Sequence, residues 1–272
     1  MFFGMRAAVL ALHAVSRRFV HPSTERQVDI SKVEVPIARL APEFDGCRIV
    51  QFSDTHVDGV TTTRAQLAAL ITLINGQQPD VVAFTGDFVS YGDPFDPADL
   101  VEPLHDLHAR DTVVAVMGNH DQNDNAETIR RVIHESRMID LNNAIHTLRR
   151  GGACLHLAGV DSLWMERARL DKVLEALPAG DPAILLAHEP EFIDVSAPTK
   201  RFALQLSGHT HGGQIRLPLL TALALGRNRR YRSGLYQVNG TALYVNRGYG
   251  MVGLPFRINC PPELTMITLR SA

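Results

Sequence analysis

The chain has 272 residues, of which 45% are hydrophobic and 21% charged, a balance that excludes disorder, a collagen-like repeat and a polytopic membrane protein. Its 27 basic and 29 acidic residues leave a formal charge of -2, so there is no overall electrostatic footprint for duplex DNA and no stable nucleic-acid partner is expected. Cys47, Cys154 and Cys260 form no CxxC pair and read as small apolar residues rather than a disulfide framework or a zinc ribbon.

From the N-terminus, Met1 to Val15 is apolar but interrupted by Arg6 and His13, and a spanning helix needs about 20 apolar residues. Ser16-Arg17-Arg18 stands where a signal peptide would carry its small-residue cleavage site. The stretch reads either as a packed N-terminal helix or as a membrane-surface anchor with arginines at the headgroup level. Residues 1–44 are taken as an N-terminal arm and 45–272 as one layered domain.

Beyond residue 45 the pattern becomes regular. Arg48 to Phe52 is a short apolar strand that ends in Ser53-Asp54-Thr55-His56. Leu67, Leu70, Ile71 and Ile74 recur at helical spacing and Gly76 stops the helix. A second strand, Asp80 to Phe84, runs into Thr85-Gly86-Asp87; after a helical stretch from Leu100 to His108, a third, Thr112 to Met117, runs into Gly118-Asn119-His120-Asp121. Ala183 to Ala187 ends at His188, and Phe202 to Leu206 leads into Gly208-His209-Thr210-His211. Val238-Asn239-Gly240-Thr241 reads as a hairpin turn. This alternation of strand, polar tip and helix predicts an α/β fold with largely buried sheets.

In such sheets ligands bind beyond the carboxyl ends of the strands, so the five tips should converge and bring together Asp54, His56, Asp87, Asn119, His188, His209 and His211. Two carboxylates, one amide and four imidazoles form a mixed nitrogen and oxygen set, which suits Mn, Zn or Fe better than Ca. Seven ligands are too many for one tetrahedral ion and fit two divalent ions about 3.5–4 Å apart that share a carboxylate. Each motif alone is weak: Asp-X-His arises by chance, and a lone histidine at a strand end is more often structural. The ordered set of five carries the reading.

These residues resemble the calcineurin-like metallophosphoesterases, whose pattern is DxH, GD, GNH(D/E), H and GHxH. The resemblance implies a four-layer αββα sandwich of two mixed sheets flanked by helices. It implies a first ion on Asp54, His56, Asp87 and His211 and a second on Asp87, Asn119, His188 and His209, with Asp87 bridging. Two dications acidify a shared water to a bridging hydroxide at neutral pH and neutralise charge on the phosphoryl group. His120 is expected to donate a hydrogen bond to phosphate or protonate the leaving oxygen. Asp121 would either orient it or cap the following helix.

Departures narrow the class. Protein phosphatases of this superfamily carry GDxxDRG and GNHE, whereas this chain has Gly86-Asp87-Phe88-Val89-Ser90-Tyr91-Gly92 and Asp121. The segment Gly208 to Pro218 and the run from Asn246 to Leu264 look like the YkuE-type bacterial phosphodiesterase branch, whose relatives include enzymes acting on lipid or cell-envelope phosphoesters. Leu217 to Leu225 is apolar and Arg227, Arg229, Arg230 and Arg232 follow. Together with the N-terminal arm, this favours a lipid-linked phosphoester substrate and peripheral membrane association. The competing readings are a soluble nucleotide phosphodiesterase or nuclease and, last, a non-catalytic metal-binding scaffold. Trp164, the single tryptophan, belongs either to the wall of the cleft or to the core.

Overall fold

Along the strand β2 (Arg48–Phe52), Ile49 packs into one hydrophobic cluster while Val50 and Phe52 pack into another. A strand buried on both faces needs a layer on each side, and this alternation sets the architecture. The computed structural model describes residues 27–92, 95–122, 126–216 and 230–272.

The first sheet contains β1 (Asp29–Ile37), β2, β3 (Val81–Phe84), β4 (Thr112–Ala115), β5 (Ile139–Asp140) and the last strand, β12 (Glu263–Ser271), in the order β1-β12-β2-β3-β4-β5. The second contains β6 (Ala144–Arg150), β7 (Ala153–Gly159), β8 (Ala183–Leu186), β9 (Leu204–Ser207), β10 (Gly234–Val238) and β11 (Thr241–Val245), in the order β10-β11-β9-β8-β7-β6. Both sheets are mixed. β2, β3, β4 and β5 run parallel, as do β7, β8, β9 and β11, whereas β12 meets β2 and β10 meets β11 antiparallel. At the turn joining β10 and β11, Asn239 and Gly240 both take positive φ, 50° and 86°, as a two-residue hairpin turn requires.

Between the sheets lies a core that includes Ile49, Val81, Val114, Leu157, Ile184, Leu204, Leu206 and Ile267. The outer face of the first sheet is covered by α1 (Arg64–Gly76), α2 (Pro97–His105) and α3 (Ala126–Glu135) through Leu67, Leu70, Ile74, Leu100, Leu104, Ile129 and Val132. A reciprocal bond pair between Thr63 and Gln66 caps α1, satisfying two donors at its start. The outer face of the second sheet packs on α4 (Leu170–Ala176) through Val173. The result is the expected four-layer arrangement of two mixed sheets flanked by helices.

One element lies inside the stretch read from sequence as an arm. β1 pairs with β12 over its whole length, Asp29 opposite Glu263 through Ile37 opposite Ser271, and Val35 and Ile37 join the inter-sheet core. The alternation Val33, Val35, Ile37 is a strand signature. The sheet therefore starts before residue 45. The apolar stretch Met1–Val15 and the Leu217–Leu225 run with Arg227 and Arg229 lie outside the described residues, and among the described residues no helix is long and apolar enough to cross a membrane.

All three cysteines are free, with Cys47 and Cys260 buried. Burial pushes the Cys47 thiol up to about 12, against the pull of the nearby Arg150. Because the thiolate is the reactive form, iodoacetamide at pH 8 should leave Cys47 unmodified in the folded protein and alkylate it in urea, as read by peptide mass spectrometry.

Candidate metal centre

Each of the five strand ends delivers its polar residues to one place. Beyond β2 and β3 the loops run side by side, with the Asp54 N–H donating to Gly86 O (2.8 Å) and the His56 N–H to Asp87 O (3.2 Å). Beyond β8 and β9 the Gly208 N–H donates to His188 O (3.0 Å). The two sheets are pinned together here: Gln51 Nε2 in β2 donates to Ser207 O in β9 (2.9 Å), and the His209 N–H reaches both Asp54 oxygens at 3.1 Å.

Asp54, His56, Asp87, His209 and His211 all take positive φ, between 44° and 70°. Each such residue costs about 1–2 kcal/mol, so strain is concentrated on the side chains that converge. The glycines of the two sharper motifs act through close approach. A Cβ on Gly118 would overlap the Asp87 carboxylate, and one on Gly208 would overlap Ser53 and Asp54.

Two groups result, Asp54 with His56 and His211, and Asp87 with His188 and His209; within each, the candidate ligand atoms lie within 4.8 Å of one another. In the first, His56 Nε2 is 3.0 Å from His211 Nε2, which is 3.3 Å from Asp54 Oδ1. In the second, His188 Nε2 is 3.1 Å from Asp87 Oδ2 and 3.3 Å from His209 Nδ1. The groups meet at Asp87 Oδ2, which is also 3.6 Å from His56 Nε2. The other oxygen, Asp87 Oδ1, accepts the His120 N–H at 2.9 Å. Asn119 sits on the turn between Gly118 and His120, its Oδ1 shielded from solvent.

The donor set fits divalent cations. His188 Nδ1 faces Thr85 O at 2.7 Å, so it carries a proton, and in the neutral ring the Nε2 lone pair then points at Asp87 Oδ2. Two lone pairs at that distance need a cation between them. Two nitrogens bound to one ion at about 2.0–2.1 Å stand about 3 Å apart at bond angles near 90–110°, as His56 and His211 do. Burial alone would raise the carboxyl of Asp54, but the facing His211 overcomes it and holds the group below the usual range. At Asp87, His188 and His120 do the same. Burial acts against charge on the imidazoles of His56, His188 and His209. It drives His56 down and His209 to about 3, whereas at His188 the Asp87 carboxylate wins and the ring is held well above its ordinary value. A metal ion can take the place of that proton.

His120 is half-buried at the first group, its ring edge-on to His56 at 5.0 Å. Its Nδ1 accepts the Tyr91 N–H at 2.9 Å, which leaves the neutral ring's proton on Nε2. Among the described residues Asp121 bonds to neither His120 nor the following helix. Its Oδ1 accepts the N–H groups of Phe88 and Val89, and its Oδ2 those of Asp87 and Gly118. Burial and the Asp87 charge push the Asp121 carboxyl up to about 8, against the downward pull of the Gly118 and Val89 N–H groups and of His188. This clamp fixes the β3 loop to the β4 loop.

Sequence reasoning passed over Ser90 and Glu189. Ser90 stands where protein phosphatases carry their second motif aspartate, and its Oγ lies 3.3 Å from His56 Nδ1. Glu189, next to His188, is buried and takes donors from Ser162, Leu163 and Trp164. No spacing signal marks it.

The sequence profile described as calcineurin-like phosphoesterase matches residues 47–213, the span that holds both groups. The chain belongs to this family. It is 36% identical over 234 residues to the uncharacterized metallophosphoesterase YkuE of Bacillus subtilis, covering 84% of this chain and 80% of that one. The phosphodiesterase YaeI of Escherichia coli is 30% identical over 71% of each chain. A zebrafish (Danio rerio) transmembrane protein with a metallophosphoesterase domain is 31% identical over 97% of this chain, which spans 61% of that protein's length. The protein is a metal-dependent phosphoric ester hydrolase.

Asp121→Asn tests the clamp. Whichever way the amide is turned, its NH₂ meets two N–H donors, so the variant should lose about 1–3 kcal/mol of unfolding free energy in urea.

Proposed function

We propose that the protein hydrolyses a phosphodiester or pyrophosphate bond, with a lipid or cell-envelope phosphoester as substrate. The reading rests on one observation: two ligand groups joined through the single atom Asp87 Oδ2. Asp54, His56, Asp87 and His211 would hold one divalent ion and Asp87, Asn119, His188 and His209 the other, Mn, Zn or Fe by the donor chemistry. When bound, the ions neutralise the phosphoryl oxygens and acidify water.

The chain's own residues do the rest. His120 presents its Nε2 proton to the leaving oxygen, oriented from behind by the Tyr91 amide. The Asp121 clamp holds Asp87 and the β4 turn in register. The strained backbone leaves the ligands little freedom to reorganise when charge develops. The lipid preference draws on the apolar arm, the Leu217–Leu225 run with its arginines, and the naming of one relative as a transmembrane protein.

With added Mn²⁺ the wild type should hydrolyse bis-p-nitrophenyl phosphate and lose that activity to a chelator. Asp87→Ala should abolish turnover. His120→Ala should lower kcat by about 10²–10⁴ while metal analysis still finds two ions per chain. Two bound ions with no hydrolysis of any diester or pyrophosphate would overturn the reading.

For the membrane part, the full chain should sediment with phosphatidylglycerol vesicles at low salt, and a chain starting at residue 27, which keeps β1, should not. Recovery of both in the supernatant would remove membrane association.

A further inference from the structure

Of the two places open to Trp164, the core and the wall of the cleft, the structure favours the wall. It is 51% exposed, so it contributes little to a core, yet its ring packs edge-on against His209 with centroids 4.2 Å apart. His209 Nε2, on the ring that Trp164 packs against, is out of solvent with no hydrogen-bond partner among the described residues. The loop carrying Trp164 follows β7 and is held by a buried carboxylate. Glu189 Oε2 accepts the Leu163 N–H (3.0 Å), and Oε1 accepts the Ser162 hydroxyl and the Trp164 N–H (3.3 Å). Glu189 adjoins His188, so the tryptophan and two of the second group's ligands are fixed to one another through a single residue pair.

The site therefore has two unlike ends. At the first group stands His120, a proton donor edge-on to His56. At the second stands an exposed indole edge-on to His209. A phosphoester lying across both groups turns its leaving oxygen toward the proton donor, which leaves the second substituent of phosphorus at the indole. We propose that Trp164 is a specificity-determining residue that seats an apolar substituent of the phosphoester, the one that stays on phosphorus, with Glu189 as the residue that positions it. The proposal rests on the diesterase reading above and adds which ester group is recognised and where.

An exposed aromatic face stacks planar rings and covers alkyl carbons alike, and two probe series separate those sources. Methyl, phenyl and hexyl esters of p-nitrophenyl phosphate share one leaving group, so differences among them report the retained substituent alone. With Mn²⁺, the wild type should favour the phenyl or the hexyl ester over the methyl ester. Trp164→Ala should lower that preference in kcat/KM by about tenfold, mostly through KM, and Trp164→Phe should restore part of it. Preference for phenyl alone identifies a planar ring, and preference for hexyl as well an alkyl chain. Equal losses on all three esters would mean a merely structural tryptophan and overturn the proposal.

Because Trp164 is the single tryptophan, its emission is a second readout that needs no turnover. Diphenyl or dihexyl phosphate should shift the fluorescence of the metal-loaded protein at concentrations where dimethyl phosphate does not. If none of the p-nitrophenyl esters is hydrolysed, the fluorescence titration alone decides the contact, and the diesterase reading falls only if no other diester or pyrophosphate is hydrolysed either; an indole blind to all three phosphates overturns the proposal by itself.

Discussion

Two like-charged carboxylates, Asp54 and Asp87, are wholly buried where the sheets meet. Taking such groups out of water costs several kcal/mol each unless positive charge lies close by, and no lysine or arginine is paired with either side chain among the described residues. The counter-charge must come through the imidazoles. His188 and His211 stand 3.1 and 3.3 Å from the carboxylate oxygens, as partners that can hold a proton or share a divalent ion. Much of the surrounding architecture answers this demand. The Gln51 bridge holds the two sheets at a spacing that lets four histidines reach two aspartates, and left-handed backbone turns the side chains inward.

The site is also rigid in a way that packing alone would not provide. The Asp121 carboxylate collects four amide N–H groups from two loops, and the His209 amide grips Asp54 from the opposite sheet. Arg257 donates to Gly250 O (2.6 Å) and lies 3.3 Å from His211 Nδ1, tying His211 to the loop beyond β11. A phosphoryl group entering this framework meets positions already set, so little reorganisation remains for the chemical step.

Much of this was legible in the sequence because the information is local. An apolar run ending in Asp-X-His or Gly-Asn-His reads as a strand tip whatever the remainder of the chain does, and the structure brings Asp54, His56, Asp87, His188, His209 and His211 together as that pattern implies. What escaped depends on partners far apart in sequence. β1 shows strand alternation, but its partner β12 lies more than two hundred residues away and pairs in parallel, so the stretch looked like an arm. Asp121 was weighed against its sequence neighbours His120 and the next helix, whereas its true partners begin at Asp87, 34 residues earlier. Trp164 stayed undecided because nothing in its own segment tells that Glu189 holds its loop.

The position of β12 bears on how the protein comes into being. It lies between β1 and β2, so the first sheet stays split until residues 263–271 have left the ribosome, with β1 unpaired and one edge of β2 open. Glu263, its first residue, accepts the Arg247 N–H (2.8 Å) and the Tyr244 hydroxyl (2.9 Å), and the loop it steadies sends the Gly250 N–H to Asp54 O. The candidate metal ligands, Asp54 through His211, thus precede in the chain the strand that completes the first sheet, and that sheet closes only after all of them have been made.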